Sequence, residues 1–98
     1  MMQLPTTLSH ARIYQSAMFR GGTLRLFDPP NLNDTEIPNL VLFAPAGDVM
    51  WVASPFRARD FYSAFEITDG IIRASTFSGD RVTIDPTNGS FEDPMFCK

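Results

Sequence analysis

The side chains best suited to chemistry in this chain are one histidine, His10, one cysteine, Cys97, and eleven carboxylates. Zinc and other transition metals need three or four close nitrogen, sulfur or oxygen ligands, and no cluster here has that count or spacing. Ser9 and His10 are neighbours in sequence only: adjacent strand residues point to opposite faces, and a hydrolytic triad also needs an orienting carboxylate and an oxyanion hole. Cys97, beside Lys98, has no neighbouring base and reads as an ordinary thiol. Gly21-Gly22, Gly70, Gly79 and Gly89 are turn glycines, because a phosphate-cradling loop requires a glycine-rich run opening a helix after a strand. Asp85 to Asn88 lacks the alternating ligands and closing glutamate of a calcium loop. No motif pairs two carboxylates for general acid-base work. The expectation is a protein with no catalytic residues, no metal and no cofactor, and not an enzyme.

Composition narrows the rest. The chain has 98 residues, 44% hydrophobic and 19% charged, a balance that supports one ordered core and a single domain over 1–98. Its formal charge of -3 provides no positive field for a phosphate backbone, so nucleic acid is an unfavourable partner and a basic protein a favourable one. Seven of the eight cations are arginine, which suits paired or packed positions. A lone cysteine cannot close an internal disulfide, which fits the cytoplasm. Met1 to Ser9 lacks the basic and apolar runs of a signal peptide, and no long apolar stretch follows, so no membrane association is expected. The triplets Asn33-Asp34-Thr35 and Asn88-Gly89-Ser90 then read as turn chemistry rather than glycosylation sites.

The elements that must position any site are most legible in the second half. Runs at Tyr62 to Thr68, Ile71 to Phe77, Arg81 to Ile84 and Ser90 to Phe96 are separated by Asp69-Gly70, Ser78-Gly79-Asp80 and Asp85-Pro86-Thr87-Asn88-Gly89, the pattern of three successive hairpins. Ile72, Ala74 and Thr76 share one face, opposite Ile71, Arg73, Ser75 and Phe77; Val82 and Ile84 oppose Arg81 and Thr83. In the middle, Asn39 to Ala44 and Val49 to Ala53 flank the turn Ala46-Gly47-Asp48, a further hairpin with Leu40, Val41, Leu42, Phe43, Val49, Trp51 and Val52 in or near the core. Pro38, Pro45 and Pro55 mark its limits.

The first third is ambiguous. Leu8, Ala11, Gln15, Met18 and Phe19 approximate a helical stripe, whereas Ala11, Ile13, Ala17 and Phe19 approximate a strand face. The turn Arg20-Gly21-Gly22 leading into the alternating Thr23 to Phe27 favours the strand. Asp28 to Pro38, rich in proline, asparagine and acid, reads as a surface loop. The fold class expected is mostly β: an antiparallel β-sandwich or strongly curved meander sheet of about seven or eight short strands, with at most one short helix. A small closed barrel is the nearest alternative.

Binding then remains as the function. Aspartates gather at turns, where turn propensity alone would place them, and the loop Asp28 to Glu36 with Asp48 offers a negative patch able to steer a basic protein. Trp51, Phe56, Phe61 and Tyr62, near Arg57-Ala58-Arg59-Asp60, are candidate interface anchors or core residues.

Leu40-Val41-Leu42-Phe43, Gly47, Trp51, the meander punctuated by Asp69-Gly70, Gly79 and Asp85-Pro86-Thr87-Asn88-Gly89, and the ending Phe96-Cys97-Lys98 resemble small bacterial immunity proteins, including those of contact-dependent growth inhibition systems. The resemblance covers roughly residues 40–98. It implies a cytoplasmic inhibitor that binds a basic, nuclease-like toxin domain and blocks it by occlusion. The residues then expected at the interface, on electrostatics and exposure, are Asp34, Glu36, Asp48, Asp60 and Asp69 for charge and Phe56 as an apolar anchor. Two other readings stay open: a structural, self-assembling subunit, for which a homodimer is the simplest form, and a small-ligand-binding β-barrel.

Overall fold

The alternating apolar pattern resolves into eight antiparallel strands in a computed structural model that describes residues 11–28, 37–55 and 59–92. They are β1 (Ile13–Phe19), β2 (Gly22–Phe27), β3 (Leu40–Phe43), β4 (Val49–Val52), β5 (Tyr62–Thr68), β6 (Ile71–Thr76), β7 (Arg81–Ile84) and β8 (Phe91–Glu92). The described residues include no helix, and so none long and apolar enough to cross a membrane. The first third is therefore a strand, joined to β2 through Arg20 and Gly21.

Sequence order is also spatial order: β1-β2-β3-β4 form one sheet and β5-β6-β7-β8 a second. Each sheet is a meander, and the two remain separate ladders facing each other, which is a sandwich and not a closed barrel. Phe19, Leu24, Leu26, Leu40, Leu42 and Trp51 from the first sheet and Tyr62, Phe65, Ile72, Ala74, Val82 and Ile84 from the second form one buried cluster between them. The alternation read in β6 and β7 holds: Ile72, Ala74, Thr76, Val82 and Ile84 are buried, while Ile71, Arg73, Phe77 and Arg81 are exposed. Arg81 and Glu66 pair at 2.7 Å on the wet face of the second sheet.

The first sheet is apolar on both faces. Phe27 and Val41 are buried on the side away from the sandwich interior, with Phe43, Val49 and Val52 packed against them. There the guanidinium of Arg25 lies 5.2 Å from the Phe43 ring centre, a cation held on an aromatic face.

Three bulges interrupt the ladders. Tyr14 is the extra residue between the pairs Ile13–Phe27 and Gln15–Leu26; Met50 is extra opposite Leu42 and Phe43; Ser63 is extra between Tyr62–Thr76 and Ala64–Ser75. A bulge shifts the alternation by one residue. The strand face expected for Ala11, Ile13, Ala17 and Phe19 is accordingly split. Ala17 and Phe19 face the core, whereas Ala11 packs on the outer cluster and Ile13 is exposed.

The sheets are fastened by two side-chain amides. As an edge strand, β5 presents backbone groups with no ladder partner on the side away from β6, which is costly unless they are satisfied. Gln15 donates to the Phe65 carbonyl at 2.7 Å and accepts from the Phe65 N–H at 3.1 Å. Asn39, wholly buried, donates to the Tyr62 carbonyl at 2.8 Å and accepts from the Tyr62 N–H at 3.1 Å, and its amide also donates to the Phe27 carbonyl at 2.9 Å. Each amide imitates one residue of a neighbouring strand. The Ser63 bulge explains why the two clamped positions are three residues apart instead of two.

Trp51 is buried at the other end of the core, its indole N–H donating to the Pro86 carbonyl at 2.9 Å. Gly89 packs on the same ring: a Cβ there would lie 2.5 Å from the indole, and the residue takes φ +79, so both space and backbone require glycine.

Candidate functional site

At the end of the sandwich where β1 begins and β2 finishes, the two sheets part to leave an open cleft of about 260 Å³. Its floor is formed by buried residues, Leu26 and Tyr62 of the core and Phe27 of the outer cluster, and its rim carries Tyr14, Asp28, Phe61, Ser63 and Phe77. Two of these rim residues are the bulge residues of β1 and β5. The extra residue in each ladder turns Tyr14 and Ser63 out of the normal alternation and toward the mouth, a common use of bulges beside binding sites.

The aromatic wall is prepared locally. Phe61 and Phe77 continue the β5–β6 pairing past its end, with the Phe77 N–H donating to the Phe61 carbonyl at 2.8 Å. Their rings stack at 4.9 Å between centres and 20° between planes. Behind them sits Asp60, 2% exposed, whose Oδ1 accepts from the backbone N–H groups of Phe61 at 2.9 Å and Ser78 at 3.3 Å. One carboxylate thus ties the backbone beside both rings. Its second oxygen, Oδ2, is buried with no hydrogen-bond partner.

The far side of the mouth is fixed as firmly. The Asp28 N–H donates to the Arg12 carbonyl at 2.8 Å and the Phe27 N–H to the Asn39 carbonyl at 2.8 Å. Tyr62 donates its hydroxyl to the Ser54 carbonyl at 2.6 Å. Burial, and secondarily the charge of Asp60, raises the Tyr62 phenol well above its ordinary value, so it stays neutral and acts as a donor. Tyr14 and Phe77 are by contrast 66% and 70% exposed. Large aromatic rings presented to water on a rigid frame are the typical anchors of protein interfaces.

The six interface residues expected from sequence do not converge on one patch. Asp34, Glu36 and Phe56 lie outside the described residues, as do His10 and Cys97. Asp48 is exposed in the β3–β4 turn, and its carbonyl closes that turn by accepting from the Ala44 N–H at 2.7 Å. Asp69 is exposed in the β5–β6 turn at φ 53, on the other sheet. Asp60 is a correction: expected as a surface charge, it is buried and spends its carboxylate on the backbone beneath the aromatic wall. Phe61 was among the candidate anchors; Tyr14 and Phe77 were not. Phe77 carried a signal, since it extends the polar face of β6 beyond Arg73 and Ser75. Tyr14 carried none, because its direction is set by the bulge.

Among the described residues no three His, Cys, Asp or Glu side chains gather as metal ligands would. A second cleft, of about 280 Å³, lies among the turns at the opposite end, lined by Phe19, Arg20, Leu42, Pro45, Met50 and Pro86 and their neighbours. Among its described lining residues there is no carboxylate, and Arg20 holds its own guanidinium 5.1 Å from the Phe19 ring centre. Of the two clefts, the first combines, among the described residues, exposed aromatic rings with an acid. No protein-family model, curated protein or solved structure matches the chain.

Proposed function

We propose that this protein is a non-catalytic protein-binding module of the immunity type, which captures a basic, nuclease-like toxin domain and blocks it by covering its active surface. The observation that carries this reading is the cleft at the open end of the sandwich, where Tyr14 and Phe77 are displayed to solvent over a buried, hydrogen-bonded support, with Asp28 at the rim. Binding energy at protein interfaces concentrates in a few aromatic anchors, and a negative domain draws a basic partner toward them. The chain's charge of -3, with Asp48 and Asp69 exposed on turns, supplies that attraction. A cytoplasmic site of action fits the lone cysteine.

The volume also bears on the ligand-binding alternative. Pockets for drug-sized molecules run from about 300 to 1,000 Å³ and enclose most of the ligand. An open cleft of about 260 Å³ suits one side chain of a larger partner better.

The test is affinity capture from lysate of the native cell with the protein as bait, at low and then moderate salt, beside the variants Tyr14→Ser and Phe77→Ser. Recovery of one basic domain by the parent protein, weakened by salt and lost with both variants, is the expected result. Recovery of the bait alone as a defined oligomer would replace this reading with that of a self-assembling subunit.

A further inference from the structure

We propose that the cleft receives an arginine side chain of the partner, its guanidinium lying against the Phe61–Phe77 wall and pairing with the Asp28 carboxylate. This deepens the protein-binding reading and rests on it.

Among the described lining residues the charged side chain is an acid: Asp28 is the ionisable group there besides the phenols of Tyr14 and Tyr62, and none of them is arginine, lysine or histidine. Asp60 stands behind the wall with a buried oxygen that no protein donor satisfies. Such a site repels an anion. A purely apolar side chain would desolvate Asp28 without replacing its lost hydrogen bonds, which is costly for a charged group. A cation satisfies both the acid and the rings, because aromatic faces carry negative electrostatic potential.

The wall's shape selects among cations. Phe61 and Phe77 are stacked near-parallel, 20° apart with centres 4.9 Å apart, and Phe77 is 70% exposed, so the pair offers the flat outer face of the Phe77 ring and not a cage of crossed rings. A flat, weakly hydrated guanidinium can stack on such a surface and still present a fork of N–H donors to a carboxylate; an ammonium, compact and strongly hydrated, gains less from either contact. Arg25 on Phe43 and Arg20 on Phe19 are examples of the same pairing within this chain. The rings at the cleft, in contrast, have no guanidinium of their own among the described lining residues.

The probe is N-acetyl-arginine methylamide, titrated into ¹⁵N-labelled protein and followed by amide shifts, with the citrulline and lysine counterparts run in parallel. Citrulline keeps the planar shape and removes the charge. The expected result is saturable shifts at Tyr14, Asp28, Phe61, Ser63 and Phe77, with affinity falling from arginine to lysine to citrulline. Asp28→Asn and Phe77→Ala should each weaken arginine binding by about three- to fivefold, the scale of partly exposed ion-pair and cation–π contacts. The spectra report at the same time whether each variant is folded. Equal binding of citrulline and arginine, or no saturable shift at the cleft with arginine, would overturn the assignment. If arginine fails while a captured partner still depends on Phe77, only the identity of the docked side chain is wrong; if no partner is captured, the protein-binding reading itself fails.

Discussion

Replacing Asn39 by leucine keeps the branched side-chain shape but removes three hydrogen bonds at a wholly buried position, those to the Phe27 carbonyl and to both backbone groups of Tyr62. The Tyr62 N–H and C=O belong to an edge strand and have no ladder partner on that side. Each group left dry costs about 1–3 kcal/mol, and a carbonyl tolerates this better than an N–H, so the gross loss is about 4–6 kcal/mol. The added apolar burial of leucine returns about 1 kcal/mol. The net, about 3–5 kcal/mol, is a large part of the about 5–15 kcal/mol that holds a small domain together. In urea the unfolding midpoint should fall by roughly 2–4 M, read by Trp51 fluorescence and by far-ultraviolet circular dichroism. Gln15→Leu, at a less buried clamp, should cost about 1–2 kcal/mol. An Asn39→Leu midpoint within about 0.5 M of the parent, at unchanged slope, would refute the claim that side-chain amides fasten β5 to the first sheet.

Other substitutions probe the remaining supports. Gly89→Ala forces a left-handed backbone on alanine and drives its Cβ into the Trp51 ring; a melting temperature lower by roughly 10 °C or more, with altered Trp51 fluorescence, is expected. Asp60→Ala strands the Phe61 and Ser78 N–H groups but also removes a buried, half-satisfied carboxylate, so urea unfolding should register a loss of about 1–3 kcal/mol. Asp60→Asn keeps an acceptor and should stay within about 1 kcal/mol of the parent. Tyr62 gives stability a pH dependence. Its folded pKa is raised, so above about pH 10 the unfolded chain releases a proton that the folded chain keeps, and stability falls by up to about 1.4 kcal/mol per pH unit as pH rises. Tyr62→Phe is weaker at neutral pH, because the Ser54 carbonyl loses its donor, and lacks this component of the slope. Parallel pH profiles for parent and variant would contradict the assignment.

Strands and turns were legible because their determinants are local. Asp69-Gly70 takes the left-handed φ values of 53 and 77 that a tight hairpin needs, and β5, β6 and β7 lie within about a residue of their expected ends, while the expected end of the last strand, Phe96, lies outside the described residues. The core followed from the same source, since Ile72, Ala74, Val82 and Ile84 alternate with polar residues. The cleft was not legible, because bulges at Tyr14 and Ser63 depend on which strand lies opposite and leave no mark in residue type. Asp60 misled for a related reason. Its sequence neighbours, Arg57 and Arg59, suggested a charged surface, but its position is set by the N–H of Ser78, eighteen residues away. The same holds for Asn39 and Gln15, whose partners lie across the sandwich on β5.

The most direct test of the central claim, that the open end of the sandwich is the interface, is the footprint of the captured partner domain on ¹⁵N-labelled protein. Amide shifts concentrated at Tyr14, Asp28, Phe61 to Ser63 and Phe77 to Ser78, with the outer face of β6 and β7 unchanged, are the predicted result. A footprint centred on Arg73, Arg81 and Thr83, or on the turns at Asp48 and Asp69, with Tyr14 and Phe77 undisturbed, would contradict it.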